Sequence, residues 1–262
     1  MHRTDQRPRS DPRPLSLWDR LRPLLRRIPG AVAAHVALRH IATLAVSPGY
    51  REAQRLGRTG RAGLFQPENT TRPNRYPEIF AWLRETLAAD PTPRILSFGC
   101  STGEEIVTLK SYLPQAHITG IDINRGNLIE AAAKTRGFGD SVRLIEASSL
   151  ADEPPDYYDA ILCLTVLLNR KLRLEQLTDS SAILPFAQFE AAVTDIARCV
   201  KPGGYLVIYG TNFDFGDTAI AAQFAPSAFQ PKPEETPAPA FSRENRLIPG
   251  GTHDEAIYQR RG

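Results

Sequence analysis

From residue 66 onward, short runs of consecutive apolar residues alternate with stretches whose apolar positions recur every three or four residues. The first pattern belongs to strands covered on both faces, the second to helices with one face on a core. In EIFAWLRETLAA (78–89), Ile79, Trp82, Leu83 and Leu87 share one helical face, and RILSF (94–98) follows as a short buried strand. A glycine-bracketed turn then leads into a helix through Ile106, Leu109 and Leu113. HITGID (117–122) reads as the second strand, NLIEAAAK (127–134) as a helix, and VRLIEA (142–147) as the third strand. YDAILCL (158–164) is a fourth, FEAAVTDIARCV (189–200) a helix, and GYLVIY (204–209) a fifth strand behind the turn KPGG. This alternation predicts an α/β fold, a Rossmann-like doubly wound sheet with right-handed crossovers. Ligands of such sheets lie beyond the carboxyl ends of the strands.

Residues 1–65 differ in pattern and in charge, so the chain divides into a basic, partly helical extension (1–65) and one catalytic-size domain (66–262). The extension holds thirteen arginines, no lysine and four acids, while the whole chain carries only +3, so the remainder is net acidic. Its first fourteen residues are too polar and proline-rich to pack and are expected to be disordered. LSLWDRLRPLLRRI (15–28) and AVAAHVALRHIATLAV (31–46) read as helices separated by Pro29 and Gly30. The second contains His35, Arg39 and His40 and is too short and polar to span a bilayer. It fits either a helical cap on the following domain or an interfacial contact, through residues 15–46, with anionic lipid or an acidic partner. No cleavage site for a secretory leader follows the apolar run. Three widely spaced cysteines form neither a disulfide framework nor a zinc motif, which points to a reducing, cytoplasmic setting.

The chemistry centres on RILSFGCSTGEE (94–105). A phosphate cradle joins backbone N–H groups to positive charge, whereas this turn runs into Glu104 and Glu105. Asp122 ends the second strand nineteen residues after Gly103, where nucleoside-binding folds place an acid on the ribose hydroxyls. Two cofactor classes use such geometry, nicotinamide dinucleotides and S-adenosylmethionine. Acids beside the turn repel a pyrophosphate but suit a sulfonium and an α-amino group, so S-adenosylmethionine is the better fit. The cradle residues are Gly99, Cys100, Ser101, Gly103, Glu105 and Asp122.

ILSFGCSTGEE, ITGIDIN, YDAILCL and CVKPGGYLVI, in this order, resemble the motif series of class I S-adenosylmethionine-dependent methyltransferases. That resemblance implies a seven-stranded methyltransferase sheet. Within the superfamily, STGEE is similar to the chemotaxis-type protein-glutamate methyltransferases, the CheR-like branch. NTTRPNR (69–75) keeps Asn69, Thr71 and Arg75 of that branch's N-x-T-x-F-F-R element, with Pro73 and Asn74 in place of its phenylalanines. The closing RLIPGGTHDEAIYQRR is similar to that branch's last strand. The likeness implies that Asn69, Thr71 and Arg75, with Glu105, contact the methionine moiety, and that Asp122 holds the ribose. Ser149 and Leu150 stand where the branch has an Asn-Leu pair near the adenine, and Leu164 and Thr165 where it has an Arg-Asn pair. Leu164 lacks the charge that would steer an acidic substrate.

Methyl transfer from a sulfonium is an in-line displacement, so positioning dominates and a base is needed only for a protonated nucleophile. The expected activity is methylation of an unidentified acceptor, a carboxylate on a protein or small molecule being one candidate that Arg75 would orient. The same residues also suit a non-catalytic cofactor-binding scaffold that recruits a membrane or protein partner. No Asn-Pro-Pro-Tyr element follows the fourth strand and no Pro-Cys element surrounds Cys163, which weighs against amide or adenine N-methylation and cytosine chemistry. The arginine-rich extension has little aromatic interleaving, a weak signal for nucleic acid. The connection 165–186 is expected to shape the acceptor pocket, with Asn169, Arg170 and Lys171 as contact candidates. APSAFQPKPEETPAPAF (225–241) reads as an irregular proline-rich arm.

Overall fold

The computed structural model describes residues 31–59, 63–66, 71–232, 237–253 and 255–262. The helix expected over 15–28 and Asn69 lie outside them. Two compact units are present, residues 1–46 and 47–262. The first is represented by α1 (Ala31–Val46). The second contains α2 (Pro48–Thr59), α3 (Pro77–Thr86), β1 (Arg94–Phe98), α4 (Glu104–Tyr112), β2 (His117–Asp122), α5 (Arg125–Thr135) and β3 (Val142–Glu146). After these come β4 (Tyr158–Leu164), the single turn α6 (Lys171–Leu174), α7 (Phe186–Arg198), β5 (Val200–Tyr209), β6 (Phe224–Pro226) and β7 (Ile257–Arg260). Segment 47–59, grouped by charge with the extension, therefore lies in the compact unit of the sheet.

The seven strands form one sheet in the order β3-β2-β1-β4-β5-β7-β6. The first five pair in parallel, and β7 runs antiparallel to both β5 and β6. Strand order reverses between β1 and β4, which opens the crevice above their carboxyl ends. Burial explains why these strands read as apolar runs. Ile161 and Cys163 of β4 face one core cluster while Ala160, Leu162 and Leu164 face the other, the period of two splitting each strand between faces. The first cluster packs under Phe189, Val193 and Ile196 of α7. The second packs under Ile79, Phe80 and Leu83 of α3 and Ile106 and Leu109 of α4.

Two details differ from the sequence pattern. The segment KPGG lies inside β5 rather than before it, with Gly203 at φ +79 and a register shift opposite Tyr158 and Ala160. The irregular arm begins with β6, three residues whose edge pairing with β7 is too short to show a period.

Candidate active site

The turn after β1 folds back because three positions adopt left-handed backbone: Gly99 (φ +75), Ser101 (φ +50) and Gly103 (φ +88). A Cβ on Gly99 would lie 2.5 Å from Val166 Cγ2, and one on Gly103 would meet the Ala131 backbone at 3.0 Å. Glycine is thus required at both on grounds of conformation and of space. The N–H groups of Gly99 and Cys100 donate to Ile121 O at 2.8 and 2.9 Å, tying the turn to the end of β2. There Asp122 accepts from Ser101 N (2.8 Å), Asn124 N (2.7 Å) and Asn127 Nδ2 (3.3 Å). Burial raises its pKa, opposed by these hydrogen bonds.

Above the carboxyl ends of β1, β2 and β4 opens a cavity, a cleft that spans about 1000 Å³ with the solvent at its mouth included. Of the expected residues, Thr71, Arg75, Gly99, Cys100, Ser101, Glu105, Asp122, Leu164 and Thr165 line it. Gly103 supports it from below, as the N-cap of α4. Ser149 and Leu150 require a correction: the wall at that place is Ala147 and Ser148. Leu150 is fully buried in the core, and its N–H donates to Asp195 Oδ2 at 2.6 Å, which turns the chain away from the cavity.

The two adjacent glutamates part company. Glu105 lines the cavity and accepts from Ser97 Oγ at 2.7 Å. Desolvation raises its pKa to about 7, against the opposing effects of Ser97 and the Arg75 guanidinium. Glu104 lies outside the wall, bound to Lys134 Nζ and to Thr102 Oγ1 (2.6 Å). Successive helical residues point about 100° apart, so one pocket takes only one of them. Both positions also suit the first turn of α4, where the helix dipole favours acids.

Several lining residues had no sequence signal of their own. Ala53 and Leu56 come from α2, whose start is packed so closely that a Cβ on Gly126 would lie 2.2 Å from Pro48 O. Asn124 Nδ2 donates to Gly49 O at 2.8 Å and secures the same junction. Residues 63–66 form another wall. Asn169, one of the expected acceptor contacts, pins this wall by donating from Nδ2 to Phe65 O at 2.9 Å. Arg170 N donates to Gln66 Oε1 at 3.3 Å beside it. Tyr76 completes the wall near β4. Thr165 Oγ1 donates to Leu164 O (2.7 Å), so Tyr76 OH donates to Thr165 Oγ1 (2.9 Å). Thr165 has φ +56, a strained position for a β-branched residue, held by its N–H to Tyr209 O at 2.6 Å.

The donor set fits S-adenosylmethionine. Ser101 Oγ is buried at the cavity with no hydrogen-bond partner, a polar group that a bound ligand would satisfy. Glu105 suits an α-ammonium, Arg72 and Arg75 a carboxylate, and the paired oxygens of Asp122 a ribose diol. Cys100, Cys163 and Cys199 are buried and burial pushes their thiols up, so none is poised as a nucleophile.

Residues 96–206 match the family described as methyltransferase domain. Demethylmenaquinone methyltransferase of Thermus thermophilus is 31% identical over 131 residues, 48% of this chain and 52% of that protein. Ubiquinone biosynthesis O-methyltransferase of Bordetella pertussis is 27% identical over 146 residues, 54% of this chain and 51% of that protein. The chain thus spans about half the length of the curated relatives it matches. Among solved structures, N-methyltransferase NodS of Bradyrhizobium japonicum aligns with a TM-score of 0.44 at 17% identity, covering 72% of this chain and 99% of that one. Residues 96–206 are thus similar to a methyltransferase domain, strand order and turn geometry agree with that likeness, and the cavity lining fits S-adenosylmethionine.

Proposed function

We propose that this protein transfers a methyl group from S-adenosylmethionine to a small hydroxylated acceptor of the phenol or quinol class. The observation that carries the transfer is the cradle itself, Asp122 and Glu105 flanking the unpartnered Ser101 Oγ at the carboxyl ends of β1 and β2. The acceptor class draws on the relatives, which are named for ubiquinone and menaquinone methylation. When bound, the cofactor supplies an electrophilic methyl on sulfur. The chain's own contribution is to hold the two ends of that molecule and exclude water from between them. Glutamate methylation by the CheR-like branch is the finer alternative. Against it, Leu164 supplies no charge and Glu104 is engaged by Lys134.

Incubation with methyl-labelled S-adenosylmethionine and fractionated lysate tests this reading, with label expected in the organic-soluble small-molecule fraction. Label in the protein fraction instead favours a side-chain acceptor. Cofactor binding without any transfer leaves the scaffold reading. We infer a peripheral membrane location from the exposed Leu38, Ile41 and Val46 of α1, which follow an arginine-rich stretch of sequence. Apolar side chains flanked by cations suit an anionic bilayer, where lipophilic quinols also reside. Among the described residues no helix is long and apolar enough to cross a membrane.

A further inference from the structure

Segment 63–66 runs across the cofactor cavity, and all four of its residues line it. At one end Gly63 rests on the loop after β3. It has φ +81, and a Cβ there would lie 2.7 Å from Ser148 Cβ and 3.0 Å from Ser148 O. At the other end Phe65 O and Gln66 Oε1 accept from Asn169 Nδ2 (2.9 Å) and Arg170 N (3.3 Å), on the loop after β4. In the strand order, β3 and β4 stand three strand spacings apart, about 14 Å. Four extended residues reach about 13 Å, so the segment has no slack with which to bulge. Asp122, which suits the ribose diol, ends β2 within the interval that the segment crosses.

The two ends are held differently. Gly63 meets Ser148 by close packing. The ring of Phe65 is 3% exposed and belongs to the core cluster that holds Leu150, Leu167 and Leu172, while its carbonyl is held by Asn169. Asn169 is a fixed post. Its backbone N–H donates to Asn212 Oδ1 at 2.7 Å, and Asn212, itself fully buried, donates from Nδ2 to Pro239 O at 2.9 Å. Its Oδ1 accepts from Lys171 N at 3.1 Å, which fixes the amide plane and aims Nδ2 at the segment. When the bond from Nδ2 to Phe65 O breaks, it is therefore the segment that moves and not the post.

We propose that Asn169 is a positioning residue that governs cofactor exchange: its hydrogen bond to Phe65 O latches segment 63–66 as a strap over the cavity, and the cofactor enters and leaves when that latch opens. This rests on the cavity being the cofactor site. A strap across the path acts in both directions. Loosening it speeds association and dissociation together, whereas losing a plain wall contact speeds dissociation alone.

Surface plasmon resonance on immobilised full-length protein, with S-adenosylhomocysteine as the probe, measures both rates. Asn169→Asp keeps the oxygen that accepts from Lys171 N and puts a second oxygen, which cannot donate, against Phe65 O. It is expected to raise the association and dissociation rates about tenfold each, with the dissociation constant held within about threefold. Gly63→Ala loosens the opposite end, where its Cβ would overlap Ser148, and is expected to give the same paired rise. A cooperative thermal melt shows which variants fold, and either one decides the matter alone. In a folded variant, a rise in dissociation alone, or no change in either rate, overturns the latch and leaves the cofactor reading intact. Failure of the wild type to bind S-adenosylhomocysteine overturns the cofactor reading, and the latch with it.

Discussion

Asp122 and Glu105 are both acids in a cofactor cradle, but their environments give them different tasks. Asp122 is already held by three N–H donors and offers its remaining lone pairs to a diol. Asp122→Ala removes hydrogen bonds to a charged group, about 1.5–3 kcal/mol each. With two such bonds to the diol, a loss of roughly a hundredfold to ten-thousandfold in S-adenosylhomocysteine affinity is expected by calorimetry. Glu105 has a folded pKa of about 7, above its ordinary 4.5, so the folded apo protein binds its proton more tightly than the unfolded chain does. The stability it contributes is present below pH 4.5 and is lost as pH rises through 7. Glu105→Gln is therefore expected to melt higher than the wild type at pH 8 in the absence of ligand. For cofactor the sign reverses, because only the carboxylate attracts the ammonium. Wild-type affinity should rise as pH increases from 6 to 8, and the Gln variant should show little of that rise.

At the scale of elements, the least expected contribution is α2. Its approach to α5 depends on the bare backbone of Gly126, where any Cβ would overlap Pro48 O. Gly126→Ala is expected to cost about 1–3 kcal/mol in a urea melt through overpacking. By displacing Ala53 and Leu56 it should also weaken cofactor binding on the order of tenfold. Gly137→Ala, with nothing within 4 Å of its Cβ, is the control expected to change neither. The contrast shows where the sequence was legible. β1, β2, β4 and β5 are covered on both faces, so their apolar runs stood out, and the turn at 99–103 carried its glycines openly. The element α2 is rich in arginine and polar in sequence, and of its described side chains only Leu56 is fully buried, too little to stand out as an apolar face. The shift from Ser149 and Leu150 to Ala147 and Ser148 was equally hidden. A loop's facing depends on contacts as distant in sequence as Asp195 to Leu150. Glu104 was misleading because adjacent letters look equivalent until helical geometry separates them.

The whole molecule divides at Ser47, so the segment before it should be separable from cofactor binding. A chain beginning at residue 47 is expected to bind S-adenosylhomocysteine with the affinity of the full protein by calorimetry. In flotation with vesicles containing anionic lipid, the full protein should co-float and the shortened chain should not. Within the larger unit, the charged side chains lining the cofactor cavity are Arg72, Arg75, Glu105 and Asp122, which cancel formally among the described residues. With Glu104 engaged elsewhere, no excess of negative charge distinguishes a sulfonium from the neutral thioether left behind. Spent cofactor should therefore compete with fresh cofactor at dissociation constants within about tenfold of each other. Under the proposed activity, turnover would then follow the ratio of the two molecules, so that accumulated product slows the transfer that made it.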